Sequence, residues 1–243
     1  MNTDTGINIL AIETASMVFS AALATASGLW YFEADAGTRH SQYLTEIIDI
    51  LLKKAGLKPA ELSCVVCMNG PGSFTGLRIG FSCAKGMALS LGIPFYSVPS
   101  LDCMAYSYSI WPGLVLPVID AKKNSWFCAI YSGGTRLTQD MDADIETIFN
   151  VIRETLSGIK GDMTQRQVLI TGPDAGIFYE IINKGDNTAN DITFSLAPDF
   201  RTGNARELLV IAKNQKIINN ESVDFNCGPE YGRKSDAEIN FRK

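Results

Sequence analysis

Cys64 and Cys67 have the C-x-x-C spacing of half a zinc site or of a redox dithiol. The run that holds them, Cys-Val-Val-Cys, reads as a strand, and residues three apart on a strand point to opposite faces. Both therefore read as buried structural thiols. Five of the six cysteines lie in hydrophobic sequence, where Cys packs as a small core residue, and a reduced compartment follows. The one histidine, His40, cannot build a multi-histidine metal site. Between Arg39 and Ser41, at the start of a predicted helix, it reads as a surface or capping residue. No Gly-x-Ser-x-Gly elbow accompanies it, so a serine hydrolase is not indicated.

The most informative segment is Gly70-Pro71-Gly72-Ser73-Phe74-Thr75-Gly76-Leu77-Arg78-Ile79-Gly80. Two glycines and a proline between a strand and a helix make a tight turn, and Ser73 is placed to cap the helix. Free backbone N–H groups there could hold an anion, or the loop could serve only to turn the chain. Gly76, Gly80, Ala84 and Ala88 recur at intervals of four, on one helical face. A glycine inside a helix costs roughly 0.5–1 kcal/mol relative to alanine, and close approach of another element can offset that. The other element is either the protein's own sheet or first helix, or a second subunit.

Three apolar runs, at 7–13, 18–25 and 29–35, are joined by short turns and read as an antiparallel meander. Tyr43, Leu44, Ile47, Ile48, Leu51, Leu52 and Ala55 then recur at three and four residues, which predicts a helix over 41–55 with Ser41 as N-cap and Gly56 as stop. A strand at 63–68, a helix at 74–91 and a strand at 95–98 follow. A second block opens near 101 with strands at 114–120 and 126–131 around a hairpin at 121–125, echoing the first block. A helix at 144–156, a strand at 167–171, a short helix at 175–183, an exposed loop at 184–191 and a helix at 203–218 complete it. The stretch 227–243 is polar and reads as extended or mobile.

The 243 residues hold 21 Lys and Arg against 26 Asp and Glu, a formal charge of −5. The basic residues are scattered, the densest group being Lys53, Lys54 and Lys58, so the chain is not expected to grip nucleic acid alone. Hydrophobic residues make up 46% of the chain, the ordinary globular range. No signal peptide, membrane span or lipidation motif is legible, and a cytoplasmic location is expected.

GPGSFTGLRIG, with AKGMALSLGIP after it, resembles the signature of the TsaB (YeaZ) family. ILAIETAS at 9–16, RHSQYLTEIIDILL at 39–52, VIDAKKNSWFCAIY at 118–131 and PEY-x-R at 229–233 match in order, so the resemblance spans nearly the whole chain. It implies an α/β fold of two RNase-H-like lobes of the actin, hexokinase and Hsp70 (ASKHA) type, with mixed sheets flanked by helices. The first lobe would take 1–105 and the second, reduced one 106–243, with helix 203–218 free to pack back on the first.

The resemblance further implies a non-catalytic partner subunit for threonylcarbamoyl transfer to adenosine 37 of tRNAs that read ANN codons. Such a subunit dimerises with a TsaD-like catalytic subunit and helps recruit a TsaE-like ATPase. In isolation it would form a homodimer, and it would meet tRNA only through the complex, with no membrane contact. ATP and a metal would belong to the partners and no cofactor to this chain. The expected partner surface is Tyr43, Ile47, Ile50 and Leu51 on the first helix with Gly76, Gly80, Ala84, Met87 and Ala88 on the second. The family's motif loop is Gly70, Pro71, Gly72, Ser73, Phe74, Thr75 and Arg78. In this superfamily the turn after the first strand of each lobe approaches phosphate, which singles out Thr14, Ser16 and Asp120, with Gly172 toward the adenine side, as a vestigial nucleotide pocket. Asp, Ser and Thr favour turns in any case. An actin-like ATPase or kinase and a glycoprotease are the competing readings.

Overall fold

β1 (Ile9–Glu13), β2 (Val18–Thr25), β3 (Gly28–Asp35), β4 (Cys64–Gly70) and β5 (Phe95–Pro99) form one sheet in the order β3-β2-β1-β4-β5. The first three run antiparallel, and β4 and β5 run parallel to β1. The structure is a computed structural model and describes residues 6–158, 166–184, 192–217, 219 and 222–233. The parallel pairings need crossovers, which α1 (His40–Ala55) and α2 (Phe74–Leu91) provide.

Period-two alternation sorts the strand residues. Leu10 and Ile12, Phe19, Ala21 and Leu23, and Val65 and Cys67 point to one face. There they meet Leu44, Ile47, Ile48, Leu51 and Leu52 of α1 and Phe81, Ala84 and Ala88 of α2. The other face carries Ala11, Glu13, Ser20 and Ala22, all fully buried. It is covered by α6 (Ala205–Ile211), whose Leu208, Leu209 and Ile211 are buried.

The second sheet repeats the order. β6 (Leu114–Lys122), β7 (Ser125–Cys128), β10 (Met141–Ala143), β11 (Gln167–Thr171) and β12 (Thr193–Leu196) lie as β10-β7-β6-β11-β12, again three antiparallel and two parallel. β8 (Tyr131–Ser132) pairs with β6 and with β9 (Thr135–Arg136). α4 (Ile145–Gly158) and α5 (Ala175–Lys184) bury Ile148, Phe149, Ile152, Phe178 and Ile182 against the sheet. Both sheets are therefore RNase-H-like. The chain forms two units: Met1–Cys103 with Gly203–Tyr231, and Met104–Thr202 with Gly232–Lys243.

Several elements differ from expectation. α1 starts one residue early, with Arg39 as N-cap and no side-chain cap, so Ser41 lies inside the helix. Gly56 does end α1 in a left-handed conformation, Gly92 ends α2 in the same way, and the Ser73 hydroxyl does accept from Gly76 N. The predicted strand 126–131 is two strands, because Tyr131 pairs with β6 at Val115 while Trp126–Cys128 pairs with its far end. β9, β10, β12 and α3 (Ser100–Tyr106) were not read from the sequence. Helix 203–218 is α-helical only to Ile211 and then π-helical over Ala212–Ile217. Most of the expected loop 184–191 and most of the tail 227–243 lie outside the described residues.

Candidate functional site

The motif loop closes onto the turn that follows β1. Ser73 N donates to Ala15 O at 2.7 Å, and the Thr14 hydroxyl donates to Gly76 O at 2.7 Å. Glycine is required at these contacts: a Cβ on Gly76 would stand 2.0 Å from Thr14 O, one on Gly80 2.3 Å from Thr14 Oγ1, and one on Gly72 2.6 Å from Ala15 O. The Ser16 hydroxyl donates to Val18 O at 3.2 Å and lies 3.4 Å from Glu13 Oε1. Thr14 and Ser16 both lie in the turn after β1, but both are buried and their hydroxyl protons are committed inside the protein. That arrangement does not fit a phosphate.

The small-residue ridge faces inward. Gly76, Gly80, Ala84 and Ala88 are buried, as are Ile47 and Leu51. Their expected place on a partner surface is therefore corrected: the ridge lets α2 approach β1 and its turn, and Ile47 and Leu51 pack on the sheet. Tyr43 and Met87 are half-buried and Ile50 is exposed. At 100° per residue the outward stripe of α2 is Thr75, Arg78, Ser82, Gly86 and Leu89, all exposed. A Cβ on Gly86 would meet none of the described residues within 4 Å.

His40 is also corrected. It is 3% exposed and packs 6.4 Å from the Phe19 ring, and its Nδ1 has no partner among the described residues. Burial holds its pKa below the ordinary value.

A row of side chains not legible in the sequence runs across three strands. Glu13 stands opposite Ser20, and Ser20 opposite Glu33. The three meet successive amides at the start of α6. Gly203 N donates to Glu33 Oε2 at 2.9 Å, Asn204 N to Glu13 Oε2 at 3.3 Å and Ala205 N to Ser20 Oγ at 3.1 Å. Two carboxylates thus complement the positive end of α6 and fasten the returning chain. Glu13 is fully buried, and desolvation pushes its pKa up to about 7 against the hydrogen bonds of Ser20, Asn204, Ala15 and Ser16. The signal was present in ILAIE, a carboxylate at the end of an otherwise apolar strand.

The tail 229–231 lies on the motif loop. Glu230 N donates to Asn69 O at 2.6 Å, and Gly70 leaves no room for a Cβ, which would stand 1.8 Å from Glu230 O. Phe74 and Tyr231 have ring centroids 4.4 Å apart, and Arg78 Nε donates to the Tyr231 hydroxyl at 2.9 Å. Pro71 is buried in this loop and Thr75 exposed. Arg233, in the second unit, is held by Asp142 at 2.7 Å and by Ala121 O at 3.0 Å.

In the second unit Asp120 and Gly172 are neighbours through Val118. A Cβ on Gly172 would stand 2.5 Å from Val118 O, and Asp120 N donates to Asp174 Oδ2 at 2.8 Å. Lys122 covers the Asp120 carboxylate with its backbone N and its Nζ, each at 2.7 Å. Burial works to raise this carboxyl, and the Lys122 bonds outweigh it and hold it low. An open cavity of about 580 Å³ has Asp120 on its wall with Lys122, Asp144, Glu146, Ile177 and Ile181, but not Gly172. Among the described residues no three His, Cys, Asp or Glu side chains are grouped to hold a metal ion. Cys64 and Cys67 are free, buried thiols raised by desolvation, and only Cys67 belongs to the core beneath α1 and α2. No described helix is long and apolar enough to cross a membrane.

A family model described as TsaD, tRNA N6-adenosine threonylcarbamoyltransferase, matches residues 34–241. The chain belongs to the TsaD family. Within it the TsaB resemblance holds: tRNA threonylcarbamoyladenosine biosynthesis protein TsaB of Bacillus subtilis is 29% identical over 97% of this chain and 98% of its own length. The family's tRNA N6-adenosine threonylcarbamoyltransferase from Thermus thermophilus is 31% identical, but over 54% of this chain and 38% of its own. The fold matches YeaZ from Pseudomonas aeruginosa with a TM-score of 0.71, at 21% identity, over 93% of this chain and 99% of that one.

Proposed function

We propose that the chain serves tRNA threonylcarbamoyladenosine formation as a non-catalytic subunit that pairs with a TsaD-like catalytic protein. The observation that carries this is the end-to-end match to a TsaB protein, set against the partial match to a transferase of the same family. Two features of the chain support it. Its one histidine is buried in the first turn of α1, so no multi-histidine metal site can form. The hydroxyls of Thr14 and Ser16 and the carboxylate of Asp120 are occupied by the protein itself, which favours ATP, metal and group transfer residing on partners.

The partner face in this reading is the outward side of α2 around Gly86, with Ile50 of α1 and the half-buried Tyr43 and Met87 beside it. An exposed glycine in the middle of an 18-residue helix costs about 1 kcal/mol relative to alanine and gains no close contact among the described residues. A helix approaching closely at Gly86 would supply the compensation. A TsaE-like ATPase would join the pair, and the isolated chain would use the same face in a two-fold homodimer.

Affinity purification from the native cell tests the proposal. TsaD-like and TsaE-like chains should co-purify, and the purified chain alone should neither modify tRNA nor turn over ATP. ATP turnover that Asp120→Ala abolishes would install the actin-like kinase reading instead.

A further inference from the structure

Arg78 carries a charge that no described acid balances. Its Nε is taken by the Tyr231 hydroxyl at 2.9 Å, and its guanidinium lies 3.9 Å from the Phe74 ring centroid and 5.4 Å from that of Tyr231. Its two terminal amino groups have no acceptor among the described residues, and Glu230, beside Tyr231 in the chain, does not pair with it. By contrast Arg136 is matched to Asp140 and Arg233 to Asp142. A guanidinium held by one hydrogen bond and two rings has lost much of its rotamer freedom before any ligand arrives, and presents its fork outward.

Such a fork takes a carboxylate or a phosphate in bidentate fashion. The surroundings discriminate. The α2 sequence FTGLRIGFSCAKGMALSL has two basic residues and no acid, and Lys85 already donates to Cys227 O at 3.1 Å. The rim of the cluster is Phe74, Thr75 and Tyr231, not lysines, and the whole chain carries −5. Holding a nucleic-acid backbone takes several clustered cations. An Arg with a Tyr, among aromatic and small residues, is the composition of a protein-interface anchor. Arg78 also lies on the same outward stripe as Gly86.

We infer that the Arg78 fork receives an Asp or Glu carboxylate of the protein that covers the outward face of α2, with Tyr231 and Phe74 as the residues that position it. This rests on the partner reading above. The motif loop and the PEY tail are then two parts of one anchor, joined where Glu230 N meets Asn69 O.

Titration calorimetry with the TsaD-like subunit of the same genome tests it, on the full chain and on Arg78→Lys, Tyr231→Phe and Gly86→Trp, with a gel shift on bulk tRNA in parallel. Arg78→Lys keeps the charge and loses the fork, and should weaken binding roughly 30-fold or more if the pair is desolvated. Tyr231→Phe should weaken it in the same direction by less, and both should melt as the wild type does. If Gly86→Trp abolishes binding while Arg78→Lys and Tyr231→Phe bind normally, the face stands and the carboxylate inference falls. If all three bind normally, the face falls with it. A loss confined to the tRNA gel shift assigns the fork to a phosphate and overturns the inference, and no binding by the wild-type chain overturns both.

Discussion

Glu13 is a carboxylate in a place where charge is costly. Its folded pKa of about 7 stands above the ordinary 4.5, so the folded state holds its proton more tightly than the unfolded chain does. The stability this contributes is full below pH 4.5 and is lost as pH rises to about 7, a change of roughly 3 kcal/mol at most. Glu13→Gln keeps an acceptor for Asn204 N and should abolish that decline, leaving the variant at least as stable as the wild type at pH 8. Urea denaturation at pH 5 and pH 8 reads it; the same slope in both proteins would rule out Glu13 as its source. His40 acts in the opposite sense. Its folded pKa lies below the ordinary 6.5, so stability present above that value is lost as pH falls through the folded pKa. His40→Gln should reduce the acid-side loss in the same experiment.

At the scale of the element, α2 carries glycines on two sides, and they answer differently to substitution. Gly80→Val puts branched carbon where a Cβ alone already lies 2.3 Å from Thr14 Oγ1, and should cost about 1–3 kcal/mol or more. Ala84→Trp, at a site with no exposure, should unfold the first unit. Gly86→Ala meets open space and should stabilise the isolated chain by about 0.5–1 kcal/mol. Thermal and urea melts of the three variants give the order directly. Equal effects at Gly80 and Gly86 would contradict the inward ridge. The i,i+4 glycines were legible in the sequence, but their direction was not. A ridge that admits a partner helix and one that admits β1 have the same spacing, and only the position of Thr14 tells them apart.

At the scale of the molecule, the chain leaves the first unit after Cys103 and returns to it at Gly203. The return brings Leu208, Leu209 and Ile211 onto the sheet and Val223 and Phe225 against the core. Removing 203–243 should therefore expose the Ala11 and Ala22 face, leave Glu13 without Asn204, and markedly lower the midpoint of the first unit's unfolding transition. An unchanged transition, followed through Trp30 fluorescence, would show that the first unit folds without its returning segment. Light scattering of the intact chain at tens of micromolar should show the homodimer, and Gly86→Trp should convert it to a monomer.

The amino-acid sequence by itself determined β1 to β5 with α1 and α2, the cap at Ser73 and the stop at Gly56, the buried thiols of β4 and the family. These depend on residues near one another in the chain, where periodicity and turn chemistry act locally. It did not determine what lies far apart in the chain and close in space: the row of Glu13, Ser20 and Glu33 under α6, the clasp of the tail on Gly70, or the burial of His40 against Phe19. The short strands β9, β10 and β12 were equally illegible, since two to four residues with few neighbours of their own kind have no period to read. Tertiary structure decided these because a side chain's role is set by what faces it. Glu13 becomes a helix cap, and Arg78 a fork held by a phenol, only once residues 204 and 231 have come back to meet them.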